Sequence, residues 1–215
     1  MKKRIIISVL LLIIICAVGI MSYSPLRNKI EQIFFATKVY NLLNSEEYMN
    51  LHQVITKDSV NSRTIMWQSL NDREDFVLEY KQENEDEILQ AKPQKSVLDI
   101  DNKKIYIYAV TLENLKADMV YDYRLGFENN RSDWYKLKTA KENNNKFKAL
   151  IFPDSQSNDY TEWKSLAMNA WQNNQDSDFF INMGDLVDNG YDLVQWNGWF
   201  DGVEPMVNNI PVAPV

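Results

Sequence analysis

Cysteine and histidine are nearly missing: one of each, Cys16 and His52, occurs in 215 residues. A single thiol excludes an internal disulfide framework and any zinc site built on several cysteines. A single imidazole excludes a histidine-rich metal cage drawn from this chain alone. An excess of positive charge is also lacking, with 23 Lys and Arg against 30 Asp and Glu and a formal charge of -7. Phosphate backbones want a cationic face, so no nucleic-acid scaffold is expected as partner. Disorder and low complexity are excluded as the main description, because 45% of residues are hydrophobic and 25% charged, an ordinary globular balance.

What is present begins with Lys2-Lys3-Arg4, followed by an uncharged run from Ile5 to Tyr23. As a helix this run is long enough to cross about 30 Å of hydrocarbon. Residues 1–23 therefore read as a signal anchor retained as a transmembrane helix. Processing at Ala17-Val18-Gly19 would instead release a secreted protein. Ile15 is bulky where lipoprotein processing wants a small residue, so Cys16 reads as a thiol packed in an apolar helix. The three cations stay inside by the positive-inside rule, which puts everything after Tyr23 outside a bacterial cell membrane. Over 24–50, Ile30, Ile33, Phe34, Val39, Leu42 and Leu43 recur at near-helical spacing and predict a helical connector.

From 51 to 141 the pattern changes to short runs of β-branched and aromatic residues between polar turns. Strands are predicted at Arg63–Ser69, Phe76–Tyr80, Lys104–Val110 and Tyr121–Gly126. Their number and spacing imply an all-β sandwich of immunoglobulin-like size. An early Trp67, and Leu112 and Leu115 leading to Tyr121-Asp122-Tyr123-Arg124, make the segment similar to a fibronectin type III domain. In that reading Tyr121 is the corner tyrosine, its hydroxyl tied to backbone near Leu115. The remaining aromatic residues read as core, His52 as a residue at the entry of the first strand, and Glu83–Glu87 as a solvated loop.

Residues 146–215 carry the chemistry. Phe147–Phe152 is an apolar strand stopping at Pro153-Asp154, Tyr160–Asn174 an amphipathic helix, and Asp178–Met183 a second strand stopping at Gly184-Asp185. Strand, helix and strand in this span predict a right-handed βαβ unit with parallel strands. Asp154 and Asp185 then emerge at the carboxyl ends of neighbouring strands, the edge where open α/β sheets bind ligands. Two carboxylates side by side repel unless one is protonated or a cation lies between them. Spacing alone leaves a metal site and a pair of helix-capping aspartates both open. Asp176, Asp178, Asp188, Asp192 and Asp201 crowd the same stretch, which suits cations more than unscreened phosphate.

Asp154-Ser155-Gln156, then Gly184-Asp185-Leu186-Val187-Asp188-Asn189-Gly190, then Ile210-Pro211-Val212-Ala213-Pro214-Val215, resemble the first half of a calcineurin-like metallophosphoesterase domain. The preceding sandwich is similar to the amino-terminal domain of the purple acid phosphatases. The fold expected is thus a membrane-anchor helix, a fibronectin III-like sandwich, and the amino-terminal part of an α/β metallophosphoesterase domain. The resemblance implies Asp154 as ligand of a first metal and Asp185 as the carboxylate bridging two. Gln156 stands where many members carry histidine, leaving it a weak amide ligand, a holder of water or a shaper of the loop. Asp188 stands where purple acid phosphatases carry the tyrosine that colours their iron, which implies a colourless protein and a less firmly implied iron.

The complete enzyme would use two divalent or trivalent ions (Fe, Mn or Zn) to hydrolyse a phosphate ester. The asparagine-histidine motif and the later histidine motifs of the family do not occur up to Val215, so the fragment is expected to be inactive alone, with no catalytic residue assigned. The competing reading is a non-enzymatic extracellular fibronectin III-like binding module with a degenerate phosphoesterase remnant. A calcium-binding EF-hand does not match Asp185–Gly190, and an aspartyl phosphatase would want aspartate where Gln156 stands.

Overall fold

Alternation sets the first half of the fold. In β2 (Arg63–Ser69) every second residue is buried, which turns Ile65 and Trp67 to one face and Thr64 and Met66 to the other. A computed structural model describes residues 48–214, apart from 101–102, 144–145 and 158, together with 25–26, 29–30, 33 and 37. The expected anchor over 1–23, Cys16 included, lies outside the described residues. Among those described, no helix is long and apolar enough to cross a membrane. Of the described positions of the expected connector, 25–26, 29–30, 33 and 37 are helical, whereas 48–50 are not.

Two sheets sandwich the first core. One contains β1 (Met49–Val54), β2, β5 (Gln94–Ile100) and β6 (Lys103–Leu112). The other contains β3 (Val77–Gln82), β4 (Leu89–Ala91), β7 (Val120–Phe127), β8 (Asn130–Arg131) and β9 (Tyr135–Lys138). Between them Trp67 stacks on Tyr108 at 5.7 Å and meets Phe76 edge-on, with Ile65, Leu78, Leu125 and Leu137 filling the layer. The first strand starts at Met49, inside the span read as connector, with Asn50 at φ 56 where the pairing with β2 shifts register.

The corner tyrosine is where it was expected. Tyr121 is buried, and its hydroxyl accepts the Lys116 backbone N–H at 2.9 Å. Tyr121→Phe removes that acceptor and no volume, so urea unfolding should show a loss of about 1 kcal/mol with an unchanged slope. An unshifted midpoint would show that the corner does not depend on this bond.

The second half is built on β10 (Ala149–Phe152), α1 (Thr161–Gln172), β11 (Phe179–Asn182), α2 (Leu193–Val207) and β12 (Val212–Pro214). Strands β10, β11 and β12 are parallel, as the βαβ reading requires. They do not form a sheet of their own. β12 pairs with β1 at Val212 and Val54, so one seven-stranded sheet runs in the order β10-β11-β12-β1-β2-β6-β5 through both halves.

Helices α1 and α2 cover one face of β10 and β11. Trp163, Ala167, Trp199, Val203 and Met206 pack there on Phe152 and Phe180 as a second core. Close approach of the helices needs Gly202, since a Cβ there would lie 2.4 Å from the Trp163 ring. The other face and the edge strand β10 leave Ile151 and Met183 exposed. The halves are further tied through Gln53, whose Nε2 donates to the carbonyls of Lys136 and Asn208 at 2.7 and 2.8 Å, and through Tyr123, whose hydroxyl donates to Asn208 O at 2.7 Å.

Candidate metal centre

The strands β10 and β11 run in register, Phe152 opposite Asn182, and therefore end together. Each strand leads into a tight loop, and the two loops are stitched to one another. The backbone N–H groups of Ser155 and Gln156 both donate to the Asp185 carbonyl, at 2.9 and 3.1 Å. Asp154 and Asp185 are thus brought together at the carboxyl edge of the parallel strands, as the sequence predicts.

Neither aspartate caps a helix. Helix α2 is capped by Asp192, whose side chain accepts from Val194 N at 2.8 Å, and α1 begins after Tyr160. The capping alternative is therefore overturned for this pair. Both carboxylates are exposed, and among the described residues neither accepts a hydrogen bond or faces a cation.

Gly184 explains how closely the two loops meet. Its φ is +78, the left-handed region that L side chains rarely adopt. A Cβ built on it would stand 1.9 Å from Asp154 Oδ1, so the carboxylate occupies the space that glycine leaves.

Beneath the loops lies a buried polar network that the sequence reading missed. Asn182, fully buried at the end of β11, donates through Nδ2 to the Pro153 carbonyl at 2.7 Å. Its Oδ1 accepts from the Ser155 hydroxyl at 3.0 Å and from Trp199 Nε1 at 2.9 Å, and that indole also reaches Ser155 Oγ at 3.0 Å. Pro153 and Ser155 flank Asp154, so these bonds hold the first loop from both sides. The available signal was a polar residue, Asn182, ending an otherwise apolar strand.

Gln156 is half-buried, and its Oε1 is buried without a hydrogen-bond partner among the described residues. An orphaned neutral oxygen is costly unless something accompanies it. Asp188 is exposed, and its charge, after burial, helps push the Tyr160 hydroxyl up to about 12. Tyr160 itself sits at φ 58, an unusual conformation for a bulky residue, with its N–H on Ser157 Oγ at 2.8 Å.

Three other carboxylates of the acidic stretch, Asp176, Asp178 and Asp201, are engaged by lysines elsewhere, which narrows the expected acidic surround to Asp188 and Asp192. Asp176 and Asp178 lie at the amino end of β11, bound to Lys148 through its ammonium and its backbone N–H respectively. Asp192 caps α2, and Asp201 pairs with Lys164 at 2.8 Å. His52 is also engaged elsewhere, its Nδ1 2.7 Å from the Asn50 carbonyl and its ring 5.2 Å from Phe200.

Three features suit a cation here: two exposed carboxylates and an amide oxygen on the same loop that have no partner among the described residues, and a glycine that leaves room for one of the carboxylates. Hard oxygen donors of this kind favour divalent or trivalent ions. Among the described residues no three His, Cys, Asp or Glu side chains converge on one point, so the donors present make a partial set.

Comparison with known proteins places the fold. Residues 48–139 match the family described as purple acid phosphatase, N-terminal domain. Similar solved structures include the purple acid phosphatase PPD1 from seeds of yellow lupin (Lupinus luteus), at 19% identity and a TM-score of 0.64 over 78% of this chain and 34% of that one. PhoD is similar at 13% identity and a TM-score of 0.54, over 80% of this chain and 39% of its own. The chain therefore spans between a third and two-fifths of the length of these structures, and at such identities the likeness is one of fold. No curated protein matches the chain in sequence. Residues 48–139 thus resemble a purple acid phosphatase N-terminal domain in sequence, and the strands and helices after them continue in a fold shared with purple acid phosphatase and PhoD.

Proposed function

We propose that this chain supplies the first two metal-binding loops of a hydrolase acting on phosphate esters. The observation that carries the reading is the pair of partnerless carboxylates, Asp154 and Asp185, joined across Gly184 at the carboxyl ends of two parallel strands. Asp154 would hold one metal ion and Asp185 would be shared between two. Gln156 Oε1 would add a neutral donor and Asp188 a second layer of negative charge at the mouth. Bound metal ions in such a site lower the pKa of a water and withdraw charge from phosphoryl oxygens.

The chain's own contribution is positional and electrostatic. The stitched loops hold the backbones that carry the two carboxylates together before any ion arrives, so little reordering would be needed to bring both onto a cation. Their charge, with that of Asp188, repels a phosphate dianion until cations compensate it. The one imidazole of the chain is committed to Asn50 and Phe200, so no histidine here serves as general acid, and turnover by these residues alone is expected at background.

Metal content of the full chain, measured by inductively coupled plasma mass spectrometry beside a p-nitrophenyl phosphate assay, tests this reading. The expected result is roughly one tightly held ion per chain, with affinity reduced at least about tenfold in both Asp154→Asn and Asp185→Asn. Because both carboxylates are exposed and unpaired, these variants should keep their stability within about 0.5 kcal/mol. Equal metal in wild type and variants overturns the assignment of the ligands. A folded wild type that holds no metal favours the non-enzymatic binding module.

A further inference from the structure

A cavity of about 840 Å³ opens between the sandwich and the α/β layer, within the range of roughly 300–1,000 Å³ typical of small-molecule sites. It lies at the amino ends of the parallel strands, beside Phe147, Phe179 and Pro211, whereas Asp154 and Asp185 follow the carboxyl ends. Phe147, Trp171, Phe179, Ile210 and Pro211 give it an apolar wall. Arg63, at the start of β2 and only 3% exposed, gives it a cation.

The charges around the cavity are otherwise matched. Lys136 pairs with Glu83 at 2.7 Å and Asp122 at 2.8 Å, Lys138 lies 3.8 Å from Asp178, and Lys141 lies 3.6 Å from Asp118. Asp176 is held by Lys148. Each carboxylate on the wall thus has a lysine, but among the described residues Arg63 has no carboxylate. Its Nη2 donates to the Lys138 carbonyl at 2.9 Å, and its Nε is buried with no acceptor. The Ser177 hydroxyl, also on this wall, is buried without a partner.

A guanidinium removed from water without a counter-charge is among the costliest arrangements a folded chain can hold. Desolvation draws its pKa down to about 10, against the opposing influence of Tyr123. It stays charged at neutral pH, and with Nε closed off and Nη2 on the Lys138 carbonyl, Nη1 is the donor left for a ligand among the described residues. A single charge-assisted bond from that amino group suits a carboxylate oxygen, and the aromatic wall beside it suits a hydrocarbon body.

We propose that this cavity binds a small amphipathic carboxylate, its head on Arg63 and its apolar body along Phe147, Trp171 and Phe179. The site is separate from the proposed metal centre and stands or falls independently of it. An acid head without a body would gain too little apolar contact, and a body without the head would leave the guanidinium uncompensated.

Isothermal titration of the full chain in lipid nanodiscs, with empty nanodiscs as blank, tests the proposal with 4-phenylbutyrate as probe. Butyrate and 4-phenylbutan-1-ol are the two half-ligands. Saturable binding of 4-phenylbutyrate is expected, with each half-ligand weaker by roughly tenfold or more. Arg63→Gln should abolish the preference for the acid over the alcohol. Phe147 is 71% exposed, so Phe147→Ala should fold normally and still weaken the acid several-fold, which keeps the test open if Arg63→Gln does not fold. Absence of saturation, equal affinity for acid and alcohol, or indifference to Phe147→Ala overturns the proposal.

Discussion

Asn182→Ala is expected to destabilise the protein by about 3–5 kcal/mol, a large fraction of the roughly 5–15 kcal/mol that holds a domain of ordinary stability. The side chain is fully buried and makes three hydrogen bonds, to the Pro153 carbonyl, the Ser155 hydroxyl and the Trp199 indole. Truncation leaves the Pro153 carbonyl without this donor and opens a polar void, while Ser155 and Trp199 can still bond each other at 3.0 Å. Two losses of about 1–3 kcal/mol each, plus the cavity, account for the estimate. The midpoint of urea unfolding should fall accordingly, and the melting temperature by roughly 2–4 °C per kcal/mol. A loss below about 1 kcal/mol would show that this network does not hold the Asp154 loop.

The contrast with Asp185→Asn sharpens the point. Asp185 is exposed and partnerless, so its amide variant should cost next to nothing in stability while weakening metal binding. Asn182→Ala should do the reverse first, lowering stability, and lose metal only because the loop that carries Asp154 loosens. A positioning network and a proposed metal ligand thus leave different signatures in the same two measurements.

Legibility in the sequence followed how strongly each residue's burial repeats. Strands such as Arg63–Ser69 alternate cleanly between a buried and a wet face, and their ends agree with the structure to within two residues. β5 was not legible, because Gln94 to Asp99 are all exposed and edge strands of this kind have no alternation to read. Helix α2 was hidden by composition. Gly198, Gly202 and Pro205 interrupt its apolar pattern, yet Gly202 is needed to admit Trp163 and Pro205 falls near the helix end.

The same distinction applies to the site. Asp154 and Asp185 were legible because each ends an apolar run, and strand ends in a βαβ unit share an edge. Ser155, Asn182 and Trp199 were not, since their roles depend on contacts between distant segments that no local pattern encodes. Nor does any periodicity reveal that Val54 pairs with Val212 and makes two apparent domains share one sheet. The acidic crowd misled for a related reason: nearness in sequence placed Asp176 and Asp178 at the opposite strand end from Asp185.

Gly184→Ala should lose the metal as completely as Asp154→Asn, although it deletes no donor. Two costs add. An L residue at φ +78 is strained by roughly 1–2 kcal/mol, and the new methyl would stand 1.9 Å from Asp154 Oδ1. The carboxylate is a movable end, so it turns away rather than breaking the strand, and turning away removes it from its place against Gly184. A double-mutant cycle separates the two costs. In an Asp154→Ala background the overlap is gone and only the backbone strain remains, so Gly184→Ala should be less destabilising there than in the wild type by about 0.5–1 kcal/mol, the cost of turning an exposed carboxylate aside. Additive unfolding energies, or metal retained by Gly184→Ala, would mean that the glycine serves the turn alone. Coupling with metal loss would show that the glycine of the second loop is where it is because the aspartate of the first loop must fit against it.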